Sequence, residues 1–346
     1  MYRIKIDPEI DDVAKEFERK ALEKNIRDNL IKFKDDLKCT DKQFETKAKT
    51  YVQKIVDLYV FNGIISKKPS SFNVLKDEFE SIISPNALDT KVRCHQKKRN
   101  EETGKMEIKD VEIEFGKRLT DVMDYECLKK EYYDAMNDVG INVCAYCNMG
   151  PADSSDDGIA NFQMEHFWPK NIFPFLSTSF FNFFPSCGEC NTKKGSVFDE
   201  NGFDLYREKE SEIANPFLFK IPNAVLVYAK MPKSDKKKAT DEFGKNKEVK
   251  ILFDSTRYAN QQMEKLQIQE RYNCNRVRKK IFNLLYKYER YTKKQIKVTQ
   301  NTFKKLDSLH VNNIFDVFED YSSEEDIHKA QLTKISIDFG KETGML

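Results

Sequence analysis

The chain has 346 residues, with 59 Lys and Arg against 57 Asp and Glu, 8 Cys, 4 His and a single Trp, for a formal net charge of +2. Hydrophobic residues make up 39%, including 26 Phe, which excludes wholesale disorder and supplies a sizeable core; at this length such a core usually splits into two or three compact units. No run approaches the ~18 apolar residues of a membrane span, and Met1 to Asp7 lacks the regions of a signal peptide. The expectation is a cytoplasmic protein with no membrane partner, in which eight cysteines are not a disulfide framework.

Apolar spacing of three to four residues predicts a helix through Ile10, Val13, Phe17, Ala21 and Leu22, extended by Phe33 and Leu37. A second helix runs from about Lys42 to Ile65, with Asn62-Gly63 as its stop, and a short one from about Val74 to Ile83. Met106, Ile108, Val111, Ile113 and Phe115 nearly alternate with polar residues after a turn-like Arg99 to Gly104, which predicts a β-hairpin near 92–115. A helix from about Tyr125 to Val139, ended by Gly140, completes a helical N-terminal domain over 1–140. Residues 141–204 differ in kind, holding four of the cysteines and the only Trp among many Phe, Pro and Asn. Over 205–310, Ile221 to Tyr228 is predicted as a strand, Lys230 to Lys250 as a basic loop and Tyr258 to Thr302 as helical; 311–346 is an acidic C-terminal segment. From Arg271 to Lys305, twelve basic residues stand against Glu289 alone, a local charge of +11 concealed by the neutral total.

Two Cys-x-x-Cys pairs, Cys144/Cys147 and Cys187/Cys190, each set two thiolates on one tight turn. Four soft ligands make a closed tetrahedral site, which suits structural zinc because no position is left for water. Buried or redox-active cysteines are the alternative, although the strand and helix alternation of a thioredoxin-like motif is missing. Between the pairs lie Gln163-Met-Glu165-His166-Phe-Trp-Pro169-Lys170 and Asn182, leading into Cys187-Gly-Glu-Cys190-Asn191-Thr-Lys-Lys194-Gly195. This pattern, from about Val143 to Ser196, resembles the HNH endonuclease family, with its acid-His pair between two zinc knuckles, its intervening Asn, and a final His or Asn after the last cysteine.

The resemblance implies a ββα-metal module on a treble-clef zinc knuckle, set in a mainly α chain as a small α+β insert between helical N- and C-terminal regions. It implies His166 as general base, Glu165 and Asn191 as ligands of a divalent ion, and Asn182 as the brace of the loop orienting His166. The chemistry agrees: a neutral imidazole suits deprotonation of water, and hard oxygen ligands favour Mg or Mn. Many members have Asp where this chain has Glu165, whose extra methylene moves the carboxylate outward.

Lys194 could contact phosphate or solvate the helix end. Arg276, Arg278, Lys279 and Lys280, within the basic stretch, are candidate contacts to a nucleic-acid backbone; a solvated face or a docking surface for an acidic partner is the alternative. Trp168, Phe173, Phe175, Phe180, Phe181, Phe183 and Phe184 read as core rather than a base-stacking platform. Cys39, Cys94, Cys127, Cys274, His95, His310 and His328 have no partner spacing and no assigned role. The expected function is a metal-dependent nuclease acting on nucleic acid, with DNA preferred over RNA by resemblance. A zinc-dependent nucleic-acid-binding or scaffold protein with a vestigial site is the alternative. Leu266 to Tyr272, with Arg276 and Arg278, resembles the helical region following the core in HNH proteins of bacterial anti-phage defence, such as the nuclease subunit of Septu-type systems. That likeness implies an antiviral defence or restriction context, with an ATPase as a candidate partner.

Overall fold

The computed structural model describes residues 2–61, 63–99, 105–155, 159–198, 204–212, 214–215, 217–238, 240–255, 264–290 and 326–346. The first helix, Pro8–Leu22, starts where the Asp7 carboxylate accepts from the Ile10 amide at 2.9 Å and Pro8 supplies a preset φ. It buries Ile10, Ala14, Phe17 and Ala21, whereas Leu22, read as an apolar position, is exposed. The helices Ile26–Asp36 and Lys42–Phe61 pack on each other, and Phe72–Glu80 follows. The predicted hairpin is present as Lys91–Arg99 paired antiparallel with Met106–Glu114, in the register His95 opposite Asp110.

Phe115 does not close that hairpin but opens a helix, Phe115–Met123, which buries Phe115, Leu119, Val122 and Met123. Alternation in the preceding strand hid this change of period. The helix expected from Tyr125 is a 3-10 turn, Tyr125–Leu128, before the α-helix Lys129–Asp138.

These N-terminal helices wrap the Phe-rich middle segment. Phe17 packs edge-on against Tyr132 and Phe183, Phe79 stacks on Phe175 at 4.2 Å, and the Phe180 amide donates to the Ile65 carbonyl at 2.7 Å. One continuous buried cluster therefore includes residues from Ile4 to Met345. The strand Ile4–Lys5 pairs in parallel with Tyr206–Arg207, a contact too short to leave a sequence pattern.

Beyond residue 210 the expectations change more. The strand ends before the predicted Ile221 to Tyr228: Phe217–Lys220 pairs antiparallel with Leu252–Ser255, and Ala224–Lys230 is a helix. Ala224 and Tyr228, one turn apart, are its buried positions, while Val225 and Leu226 are exposed, so the apolar segment expected as a strand is set in a helix by packing. The expected loop to Lys250 contains the short helices Lys233–Lys238 and Thr240–Lys245. The long basic helix is broken at Asn273-Cys274 into Ile268–Tyr272 and Asn275–Arg290. Its expected first part, 258–263, and its continuation from Tyr291, with His310 and most of the acidic segment, lie outside the described residues. A helix, Thr333–Thr343, buried from Thr333 to Gly340, lies within the stretch read only as acidic.

The architecture is thus mainly α with four two-stranded sheets among the described residues, where no helix is long and apolar enough to cross a membrane.

Candidate functional site

The two cysteine pairs meet. Cys144 and Cys147 lie in a turn where the Cys144 amide donates to Gly150 O at 2.9 Å, Asn148 N to Cys144 O at 2.9 Å, and Asn148 takes φ of 52°. Cys187 precedes the helix Gly188–Lys194, and Cys190 lies within it. All four sulfurs are within 4.8 Å of one another, with Cys147 and Cys187 3.9 Å apart. A tetrahedron with Zn–S bonds of ~2.3 Å needs sulfurs separated by about 3.8 Å, so the spacing fits zinc. Burial pushes the Cys144 thiol well above its usual range, an effect that a cation bound among the sulfurs would offset. Gly150 permits the closure, because a Cβ there would lie 2.6 Å from Cys187 Cβ.

Sequence reasoning missed the residues that close around this knuckle. Arg271, counted only in the charge of the basic stretch, points Nη1 at Cys190 Sγ (2.9 Å) and pairs with Glu189 (3.0 Å). It thereby places positive charge beside the thiolates. The next residue, Tyr272, donates its hydroxyl to Cys147 O. Asn148 ties the knuckle to the last helix: its Oδ1 accepts from Lys334 N at 3.0 Å and its Nδ2 donates to Ile327 O at 2.5 Å. No local spacing signals contacts between segments so distant in the chain.

Downstream of the first pair, Gln163–His166 pairs antiparallel with Phe183–Ser186, with Glu165 opposite Phe184 and His166 opposite Phe183; the helix bearing Cys190 follows directly. Asn182 is fully buried and clamps the intervening loop. Its Oδ1 accepts from Trp168 N (2.7 Å), and its Nδ2 donates to Trp168 O (3.1 Å) and Leu176 O (3.0 Å). His166 is buried between the edges of Tyr125 and Phe183, with Nε2 3.0 Å from Ser177 O. A carbonyl partner requires the hydrogen on Nε2, which leaves Nδ1 as the basic nitrogen. Burial holds the imidazole neutral, with its pKa lowered to about 3.

Glu165 is also buried, and its Oε1 accepts from Lys194 Nζ at 2.8 Å. The same ammonium donates to His166 O at 2.5 Å. Burial raises the Glu165 carboxyl and lowers the Lys194 ammonium, and their attraction opposes both effects. Lys194 therefore ends its helix with its ammonium turned inward to Glu165 and His166 O, buried rather than solvated. Asn191, one turn before it, donates from Nδ2 to Gln163 Oε1 at 2.5 Å. Gln163 and Glu165 share a strand face, as Asn191 and Lys194 share a helix face, so acid and amide come to one strand-helix seam.

The basic helix is less available than its composition suggested. Arg278 is buried, donating to Val249 O, Gly244 O and Asn273 O at 2.9, 3.2 and 3.1 Å, which removes it from the candidate backbone contacts. Lys279 pairs with Asp241. Arg276 is exposed and bonds to Gln331, and Lys280 lies on the same helix. Of the histidines without an assigned role, His95 sits between Asp36 (2.5 Å) and Asp110 (3.0 Å), and His328 is buried with Nε2 at Tyr2 O (3.0 Å).

Fold and site together define a mainly helical protein built around a four-cysteine knuckle that carries a strand-strand-helix unit. No family model and no solved structure matches the chain. It is 32% identical over 82 residues to the Septu protein PtuB of Bacillus thuringiensis. That match covers 24% of this chain and spans 27% of the length of the curated relative.

Proposed function

We propose that the chain is a metal-dependent nuclease of the HNH class, acting on nucleic acid with DNA preferred over RNA, in the cytoplasm and in a bacterial defence context. One observation carries this reading: a neutral, tautomer-fixed His166 and an adjacent Glu165 stand on a strand whose partner runs directly into the four-cysteine knuckle. His166 Nδ1 takes the proton of the attacking water. Ser177 O sets the imidazole's tautomer, and Asn182 holds the loop that carries this carbonyl. The four cysteines hold structural zinc. Glu165 and Asn191 are the oxygen donors for Mg or Mn, which would stabilise charge on the phosphate and leaving oxygen. With Lys194 on its carboxylate, Glu165 would serve that ion only once the ammonium leaves.

The similarity to a Septu protein supports the defence context, and an ATPase partner belongs to the proposal with it. A second reading, a zinc-dependent nucleic-acid-binding or scaffold protein with a vestigial site, draws on the same neutralised Glu165.

Plasmid and structured RNA incubated with the protein and Mg²⁺, Mn²⁺ or EDTA, beside His166→Ala, decide between them. Cleavage that the variant slows by about 100-fold or more supports the nuclease; equal inertness of both proteins on every substrate leaves the second reading standing. About one equivalent of zinc should copurify and be lost in Cys187→Ser, whereas full retention by that variant would overturn the four-cysteine site.

A further inference from the structure

We propose that Lys194 is a built-in counter-ion that competes with the divalent ion for Glu165, holding the strand-helix seam between Glu165 and Asn191 closed until the ammonium is displaced. Competition of this kind presupposes that Glu165 is an ion ligand, as proposed for the nuclease.

The contact is direct and dry. The two side chains are 4% and 9% exposed, 2.8 Å apart, and the ammonium is steadied by a second bond to His166 O. A buried carboxylate must stay paired. A divalent ion approaching the same oxygen meets an ammonium already in place, and like charges this close repel strongly in a poorly solvated site. Either cation can neutralise Glu165, but they cannot share Oε1.

The surroundings allow an exchange. Lys194 is the last residue of a seven-residue helix that stops at Gly195, which takes φ of 52°, and Gly195 and Ser196 are exposed. Its flexible stem needs only to rotate out at this open end to leave the carboxylate. Lys334, also paired within the core, differs in that its Asp338 partner lies one turn away on its own helix at 2.8 Å, with Asn215 accepting from it at 2.9 Å. Asn191 faces the same seam one turn before Lys194, so displacement would leave the carboxylate and an amide oxygen together without a cation.

Mn²⁺ binding measured by calorimetry on the full zinc-loaded chain, without nucleic acid, tests the idea. Lys194→Met should bind Mn²⁺ at least tenfold more tightly than wild type, and Glu165→Gln should abolish that binding. Equal affinities in wild type and Lys194→Met overturn the competition while leaving the nuclease to be judged by cleavage. Absence of Mn²⁺ binding in both also overturns it. Where Lys194→Met does not fold, amine acetylation of wild type read by mass spectrometry substitutes: Lys194 should be protected without Mn²⁺ and become reactive at saturating Mn²⁺. Unchanged protection overturns the proposal.

Discussion

Asn182→Ala should weaken the acid-histidine site without touching His166. The side chain is fully buried and makes three hydrogen bonds, to Trp168 N, Trp168 O and Leu176 O. Truncation removes all three and leaves buried backbone partners that water does not reach. At about 1 kcal/mol for each net bond, with a further desolvation cost for stranded groups, the loss comes to about 3–4 kcal/mol. Asn182→Asp isolates the cause, because it keeps the shape and the acceptor for Trp168 N but turns a carboxylate oxygen toward two carbonyls. It should cost at least as much as alanine. Trp168 is the sole tryptophan, and Asn182 grips its backbone on both sides, so its fluorescence reports this loop during urea unfolding. An Asn182→Ala protein within 1 kcal/mol of wild type and with unchanged emission, or an aspartate variant as stable as wild type, would refute the bracing role.

Three other outcomes follow from the same contacts. Gly150→Ala forces a methyl group to 2.6 Å from Cys187 Cβ, so the knuckle should lose zinc to a chelator several times faster, and an unchanged rate would contradict the packing. Arg271→Ala withdraws the guanidinium 2.9 Å from Cys190 Sγ and should also speed zinc loss, with Arg271→Lys intermediate; a rate equal to wild type would remove its role as counter-charge. His328 is buried and neutral, its pKa lowered to about 4 by desolvation against ~6.5 unfolded. The unfolded chain therefore binds the proton first: this contribution is complete above about pH 6.5, declines as pH falls and is lost near pH 4, a span of about 3 kcal/mol. His328→Gln should flatten the wild-type loss of stability over that window, and parallel curves for the two proteins would exclude it.

Much of the architecture was legible because it rests on local pattern. The helical period of Ile10, Phe17 and Ala21, the alternation before Phe115 and the Cys-x-x-Cys turns each need only neighbouring residues to be recognised. The aromatic residues from Trp168 to Phe184 could be assigned to a core because so many large rings can be buried only together. Legibility failed where burial overrode local preference: Ala224 to Tyr228 is a helix despite its strand-like composition, and Thr333–Thr343 is buried despite Lys334 and Asp338, which hide as a polar pair until they meet.

The amino-acid order by itself determined which chemistry is present: four thiols in two turns, an acid-histidine pair, two asparagines and an excess of bases in one stretch. Only the tertiary structure decided what each charge faces. Arg271 meets sulfur 81 residues away, Arg278 meets backbone carbonyls, and Lys194 meets Glu165 across 29 residues. The reason is electrostatic: a charge in sequence has a sign but no partner, and its role is set by whichever opposite group the fold brings within about 3 Å while excluding water.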